Sequence, residues 1–426
     1  MRSLVGLLML SAVALAAAGE QADGPLTLGR ALVLADENHP ELALAKAQEA
    51  AARARLDQTR AENGLEVDLV GRLAWIDPAP LSKFQQHDDS SLHLQVRKRL
   101  WDFGYSNARQ AAAEAGVAGS RARLLDTRQQ RRLAVMKAFF DVLLADLEYE
   151  RENEAMSVAF VRLDKARARH RLGRLDDPTL ARLETAYRKV LARRNAAQAR
   201  QRRTRVKLSL AMGRPEWIPD ELVAPPSPDF KAELPELDHW LRQALAGNPR
   251  IKALQAEVTA ARQALVAADR RYGPVLSAEL GANAWRRETR STHPFEAALV
   301  MEIPLFTGGR DDAETAAARA ALLEAEARLA QARYRLREEI TELWLELGTL
   351  ADQARTLASE DRQRELELDR SRTLYDLEYT TDLGDAMVRT TAVRLARARV
   401  DYQYLLDRAR LDALAGRLIE ASGAEP

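Results

Sequence analysis

The residue types that do catalytic chemistry are present but badly spaced for it. Six histidines stand at positions 39, 87, 93, 170, 239 and 293. No two have the i, i+4 spacing, or a nearby further ligand, that a metal site needs. They read as surface or lumen residues. The sequence has no cysteine, which removes disulfides, thiolate metal sites, thiol nucleophiles and a lipidated N-terminal cysteine. It has no G-x-S-x-G, P-loop or G-x-G-x-x-G motif, and the paired glycines of FTGGR suit a backbone corner better than a phosphate cradle. The expectation is a protein that is not an enzyme, with no cofactor and no metal. The remaining charge is structural in kind. Asp176 or Asp177 precedes Pro178 as a helix N-cap, and Thr381 or Asp382 does the same later, followed by Asp385 in the first helical turn.

A second set of charges lies on segments that alternate. Leu65, Val67, Leu69, Leu73 and Trp75 share one face, against Glu66, Asp68 and Arg72. Leu92, Leu94, Val96 and Leu100 oppose His93, Gln95, Arg97 and Arg99, with Lys98 breaking the apolar face. Later, Leu276, Ala278, Leu280, Ala282 and Ala284 oppose Ser277, Glu279 and Asn283. Phe295, Ala297, Leu299, Met301, Ile303 and Leu305 oppose Glu296 and Glu302. This period of two predicts strands. Their length of about ten residues fits tilted membrane-spanning strands. Trp75, Trp101, Phe103, Trp285, Phe295 and Phe306 lie near the strand ends, as an interfacial girdle would. Arg72, Arg97, Arg99, Glu279, Glu296 and Glu302 would then line a barrel lumen, where solvation alone accounts for them.

The elements that carry these strands form two copies of one unit. At an offset of 205 residues, Leu100 lands on Leu305, Gly104 on Gly309, Ala108 on Ala313 and Phe139 on Trp344. A slightly larger offset brings Pro40 to Pro249 and Trp75 to Trp285. Positions from 108 to 143 step by three and four, and only Gln129 and Arg132 break that apolar seam. The same register holds from Ala313 to Gly348. Such a heptad means long helices packed side by side. The Pro-free run from Ser106 to Leu172 would be one helix about 100 Å long, flanked by helices of about 36 and 52 Å that together nearly match it.

The expected organisation is a first repeat over 19–213, with strands at 65–76 and 91–101 and helices at 105–172 and 178–212. A Pro-rich linker spans 214–236. The second repeat spans 237–420, with strands at 275–286 and 294–306 and helices at 310–377 and 382–418, and 421–426 is a tail. Residues 1–18 read as a signal peptide: Arg2, an apolar run too short to span a bilayer, and Ala16-Ala17-Ala18. The formal net charge of +1 gives no basic surplus for nucleic acid.

The hairpins sit at the ends of very long helices, with no second layer to bury their apolar faces. Four strands cannot close a barrel, and an open edge is not tolerated in lipid. Copies must therefore share one barrel. Eight strands would leave an interior filled by side chains, whereas twelve leave a pore, which favours a trimer.

With these features the chain resembles the TolC-like outer-membrane efflux channels. The likeness rests on the tandem repeat, the helix starts ENHPEL and ALAGNPRI, the corners LWDFGYSNAR and PLFTGGR, and the endings LAMG and LAGR. It covers essentially the whole chain beyond the signal peptide. It implies a mostly α fold with membrane β: a homotrimer whose twelve-stranded β-barrel, in the outer membrane of a Gram-negative bacterium, continues into a periplasmic α-helical barrel. It implies a periplasmic adaptor protein and an inner-membrane transporter as partners, outer-membrane lipid around the strands, and a passive conduit for exported substrates. The strand-to-helix corners would be Trp101, Phe103, Gly104, Phe306, Gly308 and Gly309. The adaptor would meet the tip turns at Gly173, Arg174, Leu175, Tyr375, Glu378 and Tyr379. Gly173 matches the family's turn glycine and Tyr375 a family tyrosine, whereas Glu378 stands where a glycine is usual. On a threefold axis one aspartate becomes a ring of three, which favours cations and raises pKa values. Asp382, Asp385, Asp176 and Asp177 are the gate candidates, although Gly384 and Met387 occupy the family's positions. An alternative from another class is a periplasmic coiled-coil adaptor or scaffold without membrane strands. The duplicated hairpin speaks against it, since an adaptor carries one hairpin and compact β-domains.

Overall fold

A computed structural model describes residues 24–37, 39–232, 234–287, 293–377 and 382–421. The expected signal peptide, Glu378, Tyr379, Thr381 and the tail beyond residue 421 lie outside the described residues. The elements in chain order are α1 (Leu28–Glu37), α2 (Pro40–Ala61), β1 (Leu65–Arg72), β2 (Ser91–Trp101), α3 (Tyr105–Arg171) and α4 (Asp177–Ala211). The second unit follows as α5 (Leu237–Gly247), α6 (Pro249–Arg270), β3 (Val275–Trp285), β4 (Phe295–Glu302), α7 (Arg310–Asp376), α8 (Leu383–Leu414) and α9 (Leu418–Ala421).

The two 67-residue helices α3 and α7 set the height of the molecule. Beside α3, α2 and α4 stack end to end; beside α7, α6 and α8 do the same. α3 also packs against α6 and α8, so the wall runs α2/α4, α3, α6/α8, α7. The side of α2/α4 away from α3 and the side of α7 away from α6/α8 form its two free flanks.

Each break between stacked helices is a capped joint. Asn248 is buried and works in both directions. Its Oδ1 accepts from the Ile251 amide at 3.0 Å, capping α6, while its Nδ2 donates to the Leu414 carbonyl at 3.0 Å, closing α8. In the first unit His39 Nδ1 accepts from the Glu41 amide at 3.2 Å, and Arg131 of α3 reaches the Ala211 carbonyl. Asn248→Ala is expected to lower the stability of the folded chain by about 1–2 kcal/mol, since it removes a cap and takes the donor from a partly buried carbonyl. Thermal unfolding followed by circular dichroism reads this directly.

The core lies at mid-height, where the short helices α1 and α5 and the linker gird the wall. One cluster joins Leu26, Ala31 and Ala35 to Val135, Phe139, Leu208, Met212 and Leu406. The other joins Trp240 and Ala244 to Leu336, Ile340, Leu347, Tyr404 and Leu411. The linker is structured by this girdle. Leu26 donates to the Glu221 carbonyl at 2.8 Å, and Val223 donates back to Leu26 at 2.9 Å. The two polar residues in the expected apolar seam are placed for it. Gln129 is buried, and Arg132 forms an ion pair with Asp36 of α1 at 2.6 Å.

The four strands make one antiparallel sheet in the order β1-β2-β3-β4. Several element ends differ from the sequence expectation. Regular pairing in β1 stops at Arg72 rather than 76, with an isolated bridge from Trp75 to Asp88 beyond it. β4 stops at Glu302 rather than 306, because Glu302 pairs with Val275, the first residue of β3, and nothing remains to pair with the rest. α8 ends at Leu414, and Gly416 at φ 79° separates it from α9. In β2 the ladder slips by one residue between Arg99 and Trp101, so Trp101 pairs with Leu276. Such a bulge re-aims a side chain. Here it sets Trp101 beside Leu276 on the apolar face, at the base of the sheet.

Candidate functional site

Three regions carry the chemistry that the sequence singles out: the sheet, the corners beneath it and the far tip. On the sheet the pairing register aligns Leu69, Leu94, Ala282 and Phe295 in one row across four strands. The face they belong to is uncovered; Leu69 is 64% and Leu299 72% exposed. An apolar sheet face of this extent, left bare to water, marks an interaction surface. Among the described residues its two outer edges, on β1 and β4, have no partner strand. On the opposite face Arg97 forms an ion pair with Glu279 across the strand pair at 2.9 Å. Arg99 lies 3.7 Å from Asp102. Arg72, Glu296 and Glu302 are exposed on that same face. His93 is held by Asn283 at 2.9 Å and Ser91 at 3.0 Å, so it belongs to a cross-strand polar network.

The corners repeat one backbone shape. Phe103 and Gly104 have φ of 57° and 85°, and their counterparts Gly308 and Gly309 have φ of 68° and 80°. Two successive left-handed residues turn the strand into the helix. Glycine takes this conformation at no steric cost, whereas phenylalanine does not. Phe103 is held there by contact with the turn between α6 and β3, where a Cβ on Gly273 would come within 2.9 Å of the Phe103 Cβ. Trp101 meets its ring edge-on at 5.9 Å. Asp102 then accepts from the Ser106 amide at 3.1 Å and from its hydroxyl. Phe306, at the second corner, is almost fully exposed.

At the tip, Gly173 at φ 67° closes α3, and Arg174 donates to the Arg169 carbonyl at 2.9 Å. Leu175 and Asp176 carry the turn into α4. Asp176 caps α4 by accepting from the Thr179 amide at 3.2 Å, and its bonds to Thr179 hold its carboxyl below the usual range. Asp177 pairs with His170 at 2.6 Å. Asp382 occupies the N-cap position of α8 without a side-chain cap bond, 4.0 Å from Arg162. Asp385 is in direct contact with Arg162 of α3. The structure thus brings Asp382 and Asp385 together around Arg162 and leaves Asp176 and Asp177 within the first hairpin. Tyr375 is exposed. Sequence reasoning missed Arg162 and Val158. The second packs so closely on Gly384 that a Cβ there would lie 2.7 Å from Val158 Cγ2. Neither has a local signal, because the contact joins residues more than two hundred positions apart.

A further concentration of charge lies at mid-height. A cavity of about 210 Å³ between α3, α6, α7 and α8 is lined by Asp126, Arg250, Arg335, Glu339 and Arg410 among others. Burial pushes the carboxyls of Asp126 and Glu339 up, against the pull of Arg250. Each holds its proton to higher pH folded than unfolded, so its contribution to stability falls as pH rises from the ordinary carboxylate range through the raised one. Asp126→Asn is expected to raise the melting temperature at pH 7, and the gain should vanish below about pH 4, where the wild-type group is protonated in both states. Melting curves of both proteins from about pH 3 to about pH 8 check it. Among the described residues no cluster could hold a metal ion, and no helix is long and apolar enough to cross a membrane.

A bare apolar sheet with open edges, mounted on a wall of paired long helices, defines one subunit of a channel that spans a membrane by shared strands and continues as a helical tunnel. Residues 240–417, in the second repeat, match the sequence model of the outer membrane efflux protein family. Solved structures agree in fold along nearly the whole chain. The Campylobacter jejuni outer membrane channel CmeC superposes with a TM-score of 0.78 at 15% identity, covering 93% of this chain and 89% of its own. The outer membrane protein VceC of Vibrio cholerae gives 0.72 at 18% identity, covering 91% and 96%. The open state of the Neisseria gonorrhoeae outer membrane channel MtrE gives 0.68 at 20% identity, covering 92% and 89%. No curated protein matches the chain at the sequence level.

Proposed function

We propose that three copies of this chain form the outer-membrane channel of a tripartite export system. The observation that carries it is the four-stranded sheet with an uncovered apolar face and two unpaired edges. An edge in lipid leaves amides and carbonyls without partners, so β1 of one copy pairs with β4 of the next until the sheet closes. Three copies supply twelve strands, enough to leave a bore. The polar face, with Arg72, Arg97, Arg99, Glu279, Glu296 and Glu302, lines it. α3 and α7 continue that bore through the periplasm to the tip. There the turn at Gly173, Arg174 and Leu175 and the turn following Tyr375 receive the adaptor, which links the duct to an inner-membrane transporter. Transport through the duct is passive, and energy enters at the transporter.

Membrane fractionation followed by planar-bilayer conductance tests the reading. The mature protein is expected in the outer-membrane fraction, as a trimer that conducts. A mature protein recovered wholly in the soluble fraction would overturn it. Asp382→Ala/Asp385→Ala is expected to raise conductance and weaken cation preference, since it removes both carboxylates that face Arg162. Unchanged conductance and selectivity would remove these two aspartates from the gate.

A further inference from the structure

One ion pair keeps its place in both units while exchanging its charges. In the first unit Arg109 of α3 pairs with Glu62, at the end of α2. In the second unit the corresponding places hold Glu314 and Arg271, paired at 3.0 Å with the polarity reversed. Arg60 and Glu114, 3.1 Å apart, correspond to Asp269 and Arg319, whose charges are reversed although among the described residues they form no ion pair. Near the tip, the joint between the two units carries Arg162 of α3 against Asp385 of α8. Its repeat-related places have no such joint within the chain, because one lies on each free flank of the wall. At the 205-residue offset of α3 and α7, Arg162 corresponds to Glu367. α4 and α8 end at Gly213 and Gly416, an offset of 203, and on that register Asp385 corresponds to Arg182. On this register of the helix ends charge is reversed here as well.

We infer that a second copy of this chain docks its α4 on the free flank of α7, with its Arg182 on Glu367. This rests on the trimeric reading above and adds the register of the contact. The two groups are available for it. Glu367 is partly exposed; among the described residues its hydrogen bonds stay within its own helix, to Gln363 and to Arg364 at 2.8 Å, and the charge of Arg389 on α8 also acts on it. Arg182 is exposed, and among the described residues its hydrogen-bond partner is the Thr179 hydroxyl at 3.1 Å. Counting from the helix starts, Asp176 and Asp382, puts Thr179 in the place of Asp385, and the Arg182 guanidinium already reaches that level. The apolar side of the flank agrees. Phe140 of α3 stacks on Tyr402 of α8 at 5.0 Å, and its counterpart Leu345 on α7 is 57% exposed with no such cover. The reversal also discriminates between partners. α4 offers arginine where α8 offers aspartate, so an α4 sliding into the place of α8 would set Arg182 against Arg162, and like charges in contact oppose the wrong assembly.

The sequence lacks cysteine, so paired cysteines report cleanly. In the full-length membrane protein, Glu367→Cys/Arg182→Cys is expected to give oxidant-dependent, reductant-reversible dimers and trimers on non-reducing gels, and each single variant none. Arg162→Cys/Asp385→Cys is expected to close within one chain, with a mobility change and no ladder. Native sizing runs alongside. A trimer that yields no ladder from the first pair, while the second pair closes, overturns the inferred register and leaves the channel reading standing. Absence of any trimer overturns both. Independently, Glu367→Arg and Arg182→Glu should each lower the temperature at which the trimer dissociates, and the double exchange should restore it. Equal loss in singles and double also overturns the pairing.

Discussion

Leu69→Arg is expected to keep the protein out of the outer membrane. Leu69 sits in the middle of β1, in the apolar row that continues through Leu94, Ala282 and Phe295. An arginine on the lipid face of a barrel costs about 2–4 kcal/mol near the bilayer midplane. In a trimer that cost recurs in each of three copies. The long helices do not depend on the sheet for their own core, which lies at mid-height around Phe139 and Leu347. The variant should therefore fold its helical part and accumulate in the periplasm. Glu279→Lys is the matched control. It sits on the opposite face, where water solvates it, and it should insert as wild type with an altered selectivity. Wild-type membrane insertion of Leu69→Arg would reverse the assignment of the two faces.

Gly384→Leu is expected to open the tip. The first turn of α8 lies so close to α3 that a Cβ on Gly384 would fall 2.7 Å from Val158 Cγ2 and 3.2 Å from Cγ1. A leucine there must push the second hairpin away from the first. Overpacking of this kind typically costs about 1–3 kcal/mol. The displacement acts on the same turn that carries Asp385 to Arg162. An exposed ion pair contributes about 0.2–1 kcal/mol, too little to hold the hairpins against such a wedge. Single-channel conductance should rise, and Val158→Ala in the same protein should bring it back towards wild type. Unchanged conductance in Gly384→Leu would place the constriction elsewhere.

The large elements were legible in the sequence because each has a short-range signature. The alternation around Leu65–Leu69 and Leu92–Val96 marked strands, and the heptad from Ala108 marked a helix whose observed length is 67 residues. The register between copies located both corners, since Gly104 and Gly309 recur at a fixed offset. The charges on the strands were placed on one face by parity alone. Where parity failed, at Trp101, the cause was a bulge that depends on the neighbouring strand. The short helices α1 and α5 have no counterpart in the sequence expectation. Their reason for existing is the girdle, where Ala31 and Trp240 bury against residues far along the chain.

Period, parity and duplication are properties of neighbours along the chain, and the sequence by itself determined them: strand or helix, one face or the other, once or twice. The tertiary structure alone decided which distant groups meet. Asp385 is bound to Arg162, Gly384 is closed over by Val158, and Asn248 joins the end of one helix to the start of another. These contacts depend on how two long helices align side by side. A heptad specifies the face that meets a partner, but a shift of a whole turn preserves that face and changes every pair across it. The caps at Asn248 and Gly416 remove the ambiguity, and they do so only once the stacked helices have been brought end to end.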